Sequence, residues 1–259
     1  MTTTRIAAFL FLLVTLPCVS SADEEKGTPP QEKGRSEEPA PRYEPPEAEA
    51  SKARASSPLL YVPPAIGEPA RRIGAGTRGM GRQASIQILA PDHLGYTTEE
   101  QPTLYWYLAE ATTTPVVFTI RDENSIEPLI EAQLAAPAQA GVQAVRLADH
   151  GMRIAPGTNY QWFVSLVPEP ERRSKDFTVG AWIARREPDA ALRGKLAAAN
   201  GREAIVFAES GLWYDAIDAL SSQIASAPAD RRLRAQRAAL LEQAGLAEVA
   251  AYDLAAAGP

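Results

Sequence analysis

Two histidines, one cysteine and scattered carboxylates are the chemical resources of this chain. Asp92 precedes His93, and a carboxylate beside an imidazole is the pair from which a general base is built. Adjacent residues on an extended chain point to opposite sides, so Asp92 and His93 read as turn residues that bond the backbone. His150, within Asp149-His150-Gly151, is expected in a solvent-exposed turn. Neither histidine has companions at the spacing of a zinc site, which needs three or four convergent ligands. Glu99-Glu100 is a carboxylate pair, but nothing in the spacing brings two carboxylates together across a cleft as glycoside hydrolysis requires. There is no Gly-x-Ser-x-Gly elbow and no Walker loop. Arg72 to Gly79 is glycine-rich yet has no strand before it, so it reads as flexible linker, not as a phosphate cradle. No catalytic residue, metal ligand or cofactor is assigned, and the chain is expected not to be an enzyme.

The elements that surround these residues begin with an export signal. Arg5 supplies a short positive region and Ile6 to Leu16 an apolar run ended by Pro17, followed by the small residues Ser20-Ser21-Ala22. At about 11 residues the run is short of the roughly 20 that span a bilayer. Residues 1–22 are therefore expected to be a cleaved signal peptide, with the mature chain periplasmic or extracellular and without a membrane span. Pro17 immediately before Cys18 is a poor lipidation context, and cleavage after Ala22 leaves no cysteine for a disulfide or thiolate. The formal charge of -6 and pI near 5.2 argue against a nucleic-acid partner, which requires a basic face.

Residues 23–81 are rich in proline, Glu, Lys, Ser and Ala, and few large apolar side chains interrupt them. Such a segment buries too little surface to offset its ordering entropy and reads as a disordered tether. Leu59-Leu60-Tyr61-Val62 is the exception: it either docks on the folded body or is a sticky spot in the linker.

Residues 82–187 carry seven runs with strand periodicity: Ala84 to Leu89, Thr103 to Leu108, Val116 to Arg121, Leu129 to Leu134, Val142 to Leu147, Tyr160 to Val167 and Phe177 to Ala184. Seven short strands in about 105 residues suit an all-β sandwich of the immunoglobulin or fibronectin III kind. Pro156-Gly157 supplies the turn before Tyr160, which reads as a corner tyrosine bonding back to the chain, with Trp162 in the core.

Residues 188–259 are alanine-rich and helical in pattern. Gly211, Ala216 and Leu220 recur 34 residues later as Gly245, Ala250 and Leu254, the period of tetratricopeptide repeats. Asn200-Gly201 interrupts the first helix. Fewer than three repeats rarely stand alone, so these helices are expected to pack on the sandwich or on a partner.

Two features are candidates for recognition. Pro168 to Asp176 is expected to join the last two strands, and Arg172, Arg173 and Asp176 lie in it; Arg173 can instead hold Asp176 and shape the loop. Trp213 and Tyr214 open a helix, where aromatics pack between helices, seat the helices on the sandwich, or anchor an interface.

Leu89-Ala90-Pro91, His93, Gly95, Gln101 to Tyr107, Tyr160-Gln161-Trp162, Arg172-Arg173-Ser174, Asp176, Gly180 and Gly211 to Asp215 together resemble the bacterial family called domain of unknown function 928. The resemblance covers about Ser85 to Leu220. It implies an exported protein with no established activity and carries over no catalytic residues. The function expected is a non-catalytic interaction or scaffold protein with an envelope protein partner. Two alternatives are a glycan-binding sandwich, displaying Tyr105 and Tyr107 as a row with Trp106 in the core, and an envelope hydrolase.

Overall fold

Strands form where apolar residues alternate, and end where turn residues interrupt the pattern. The computed structural model describes residues 59–64, 72–74 and 86–256; the expected signal segment and most of the tether lie outside them. The strands are β1 (Ile86–Ile88), β2 (Gly95–Thr97), β3 (Thr103–Leu108), β4 (Val116–Asp122), β5 (Ile130–Leu134), β6 (Gly141–Arg146), β7 (Asn159–Leu166) and β8 (Phe177–Arg185). Each of the seven expected runs overlaps one of them, with ends that differ by one or two residues at most. The additional strand, β2, has only three residues and no alternation; it forms because it pairs in parallel with β8, Gly95 opposite Ile183.

The strands make two sheets, β1-β3-β6 and β2-β8-β7-β4-β5, antiparallel apart from β2 and β8. Their inner faces share a core. Leu104, Trp106 and Leu108 come from β3, and Phe118 and Ile120 from β4. Trp162 and Val164 come from β7, and Val179 and Ile183 from β8. Tyr160 accepts a hydrogen bond at its hydroxyl from the Ala155 N–H at 3.1 Å, five residues upstream, so the expected back-bond is present. His150 is half-buried and stacks on Phe118 at 5.8 Å between ring centroids, not solvent-exposed, because a 3₁₀ turn (Leu147–His150) folds it back over the sheet.

Five helices follow: α1 (Ala190–Ala197), α2 (Glu203–Glu209), α3 (Trp213–Ser226), α4 (Arg231–Gln243) and α5 (Ala247–Ala256). Asp189 and Asp230 cap α1 and α4, accepting from the N–H of Leu192 and from those of Arg232 and Leu233. Asn200 and Gly201, both at positive φ, separate α1 from α2 as the sequence indicates. Gly211 and Gly245, at φ 74° and 71°, make the equivalent turns α2–α3 and α4–α5. The 34-residue correspondence holds at buried Ala216 and Ala250 but not at the third position. Leu220 is buried, whereas Leu254 is 48% exposed because no further described helix covers it.

The helices cover the outer face of the three-stranded sheet. Tyr105 donates to Asp218 of α3 at 2.7 Å, Tyr107 meets Tyr252 of α5 at 5.3 Å between rings, and Gln87 reaches Glu248. Tyr107 is thus buried and Tyr105 half-buried, so these tyrosines do not form the exposed row that the glycan-binding alternative needs. Among the described residues no helix is long and apolar enough to cross a membrane.

A buried ion pair ties the helices together. Arg237 of α4 donates through Nε and Nη2 to the Asp253 carboxylate of α5 at 2.7 and 2.6 Å, and through Nη1 to Ser221 Oγ of α3 at 2.9 Å. Arg237→Ala leaves a buried carboxylate whose remaining ion-pair partner among the described residues is Arg234, 3.6 Å away. It is expected to cost about 3 kcal/mol in urea unfolding, whereas replacing both Arg237 and Asp253 by Leu costs far less.

Candidate functional site

The first turn of α3 sits where the helices meet both sheets. Trp213 donates its indole N–H to the Leu89 carbonyl at 2.9 Å, just beyond β1. The Tyr214 hydroxyl accepts from the Trp162 indole at 3.0 Å and donates to the Trp182 carbonyl at 3.0 Å. A side chain on Gly95 would come within 2.6 Å of the Tyr214 ring, so glycine in β2 is what lets that ring lie against the sheet. Trp213 and Tyr214 are therefore interior residues, not interface anchors: their polar atoms are paired inside the chain and almost none of their surface reaches solvent.

Over this turn lies Leu59–Pro64. Leu59 and Tyr61 are buried, and Leu60 and Val62 point outward at 59% and 45% exposure, the alternation of an extended chain. The Gln243 side chain reads its backbone twice, accepting from the Tyr61 N–H at 2.9 Å and donating to the Leu59 carbonyl at 2.8 Å. The Val62 N–H donates to the Ala208 carbonyl at 3.1 Å, at the end of α2, an oxygen that also accepts from the Gly211 N–H at 3.1 Å. A Cβ on Gly211 would stand 3.0 Å from the Val62 carbonyl oxygen, so this turn must be glycine for reasons of space as well as φ.

The Tyr61 ring packs edge-on against Trp213, centroids 5.0 Å apart, and stacks parallel to His93 at 5.7 Å. His93 Nδ1 lies 2.9 Å from the Leu94 carbonyl, which can only accept, so Nδ1 carries the proton in the neutral ring. Nε2 is then the acceptor for the Tyr61 hydroxyl at 3.3 Å. Burial pushes the Tyr61 phenol well above its ordinary range and keeps it a donor. Asp92, as a turn residue, accepts from the Arg72 backbone N–H at 3.1 Å, and the two members of the Asp92–His93 pair face different partners.

Arg72–Gly74 is ordered, contrary to the flexible-linker expectation. Ile73 exchanges both backbone hydrogen bonds with Gly180 of β8, at 2.8 and 2.9 Å, and the Arg72 guanidinium donates to the carbonyls of Ala90 and Ala244. Ala244 ends α4, where a cation complements the helix dipole. Burial lowers the Arg72 pKa, opposed by the nearby Asp92 charge. The rest of the glycine-rich run lies outside the described residues.

A second cleft, of about 190 Å³, brings Glu99, Asp215 and Asp218 together beside Thr97, Gln101 and Phe207. Both Asp215 oxygens accept from the Thr98 N–H, at 3.0 and 3.1 Å, and Oδ1 also accepts from the Thr98 hydroxyl. Asp218 holds Tyr105. These two carboxylates thus fasten α3 to the loop after β2 and to β3. Burial pushes the Asp215 carboxyl from 3.8 up to about 6, against the lowering effect of its bonds to Thr98 and Thr97.

In the β7–β8 loop the three candidate residues make ion pairs within the chain. Arg173 Nε donates to Asp176 Oδ2 at 2.6 Å and its Nη1 lies 3.8 Å from Glu131, while exposed Arg172 approaches Glu169 at 3.7 Å. Sequence reasoning missed Gln243 and the Ala208 carbonyl. The one available signal was the alternating Leu59 and Tyr61 inside a proline-rich stretch, together with repeated glycines marking the turns at the ends of α2 and α4.

Two facing sheets, helix hairpins on one outer face, and an extended segment clamped over the joint define this class of protein. Residues 73–254 match the family described as Domain of Unknown Function (DUF928), and the chain belongs to that family. No curated protein matches the chain. Among solved structures, a multi-domain immunophilin from Arabidopsis thaliana aligns at 11% identity over 76% of this chain and 100% of that chain, with a TM-score of 0.18, too low to bear on fold or function.

Two measurements check this joint. Tyr214→Phe leaves the buried Trp162 N–H unpaired and is expected to cost about 1–3 kcal/mol in denaturant unfolding. Asp215 has a higher pKa folded than unfolded, so its contribution is fullest below pH 3.8 and is lost as pH rises through about 6. Asp215→Asn removes that loss, so its stability relative to wild type should rise by about 3 kcal/mol across this window.

Proposed function

We propose that this chain is an exported, non-catalytic interaction protein that works in the periplasm or outside the cell and docks a protein partner through its helical face. The observation that carries this reading is the joint over α3, where helix ends and Gln243 hold an extended stretch of chain by its backbone. Recognition by main-chain bonds with alternate side chains seated is a mode that binding modules use for partner segments. The export signal read from residues 1–22 and the proline-rich stretch after it are consistent with an exported body that carries an extended arm.

The finer architecture belongs to the same reading. We take the sandwich as fibronectin III-like, on the strength of its β1-β3-β6 and β8-β7-β4-β5 strand orders and the Tyr160 back-bond. The helix hairpins are taken as tetratricopeptide-like, supported by the paired turns at Gly211 and Gly245.

The test is site-specific photocrosslinking of the tagged full chain in its native cell. A crosslinker replacing Leu60 or Val62, on the rim of the joint, is expected to capture a discrete protein partner. One replacing Ile126, at the tip of the β4–β5 hairpin and 91% exposed, should capture none. Absence of any adduct from both rim positions overturns the reading.

A further inference from the structure

We infer that the groove occupied by Leu59–Pro64 is a binding site for extended segments of the pattern Leu-x-Tyr-x-Pro-Pro, and that this chain fills it in cis with its own copy. The inference rests on the interaction reading and names the ligand class of its site.

Every contact that holds the segment is of a kind that a separate peptide can make. Gln243 bonds the N–H of one residue and the carbonyl of the residue two before it, a clamp that recognises extended backbone whatever the sequence. The Ala208 carbonyl takes a third backbone bond from Val62. Specificity comes from what lies beneath. Tyr61 stacks on the His93 ring, meets Trp213 in an edge contact and places its hydroxyl on His93 Nε2, while Leu59 enters the main core cluster. An apolar residue and a hydroxylated aromatic two positions later satisfy both places.

The floor of the groove is built for a passing backbone. Gly211 has no side chain where a Cβ would meet the Val62 carbonyl at 3.0 Å and the Pro64 ring at 3.3 Å. Prolines on both sides of the segment, Pro58 and Pro63-Pro64, favour extended conformations, so little chain entropy is lost on docking. Because the cis copy is part of the same chain, it competes at a high effective concentration. A partner segment must displace it, and the groove is therefore self-inhibited at rest.

The probe is a fluorescent peptide with the sequence of residues 56–66, titrated against the full chain by anisotropy. The receiving proteins are wild type and the double variant Leu59→Ser with Tyr61→Ser, in which the cis copy is disabled. The peptide is expected to bind the double variant at least about 10-fold more tightly than wild type. Adding Gln243→Ala to that variant should weaken binding by a similar factor, and a peptide with serine in place of its tyrosine should not bind. A double variant that melts cooperatively yet binds no peptide overturns the inference, as does binding unchanged by Gln243→Ala.

Wild-type chain provides a second measurement if the double variant fails to fold. Excess unlabelled peptide should speed hydrogen exchange at the N–H groups of Tyr61 and Val62 and leave α3 protected. No acceleration at millimolar peptide overturns the proposal. A photocrosslinked partner without peptide binding rejects this inference alone, because the partner then uses another face.

Discussion

The rest of the structure depends on the requirement that the first turn of α3 be paired where it enters the protein. Trp213 and Tyr214 carry an indole N–H and a phenol into a place without water, and an unpaired group there costs on the order of kilocalories. Leu89, next to β1 of one sheet, and Trp162 and Trp182, on β7 and β8 of the other, supply the partners. The helices and the two sheets are therefore not independent bodies that happen to touch. One buried cluster runs from Leu59 and Tyr61 through both sheets to Val249 and Ala250.

That joint explains features that look unrelated along the chain. Gly95 is bare so that the Tyr214 ring can cross β2, and Asp215, one residue further, holds the backbone just after β2. Tyr105 and Asp218 extend the same attachment along α3. The carboxylates that gather near this helix act as fasteners. The raised pKa of Asp215 is the electrostatic consequence of placing one of them out of water.

The segments that precede the sandwich finish the helix ends. Val62 reaches the Ala208 carbonyl at the end of α2, where it joins the Gly211 N–H, and Arg72 reaches the Ala244 carbonyl at the end of α4. Gly211 and Gly245 make those two turns with the same left-handed geometry. A segment that by composition belongs to a solvated tether thus becomes part of the folded body wherever it can supply N–H donors to helix ends. Val62 supplies the proposed groove with one of its backbone contacts, and the side chains beneath it do the selecting.

The sequence by itself determined seven of the eight described strands, the helical character of the residues after Pro188 and the turns at Gly211 and Gly245, whereas β2 needed its pairing with β8. Alternation in β3, β4 and β7 and the glycines at 211 and 245 are local signals, written within a few residues of what they specify. The Tyr160 back-bond was legible for the same reason, since its partner lies five residues away. Only the tertiary structure decided which way Tyr107 faces solvent or helix, that Trp213 and Tyr214 are interior, and that Leu59 and Tyr61 are held by Gln243. The residues in these contacts are separated by more than a hundred positions in several cases, as Trp213 from Leu89 and Gln243 from Leu59. Such pairings depend on how whole layers stack, and no periodicity within a segment encodes what will lie across from it.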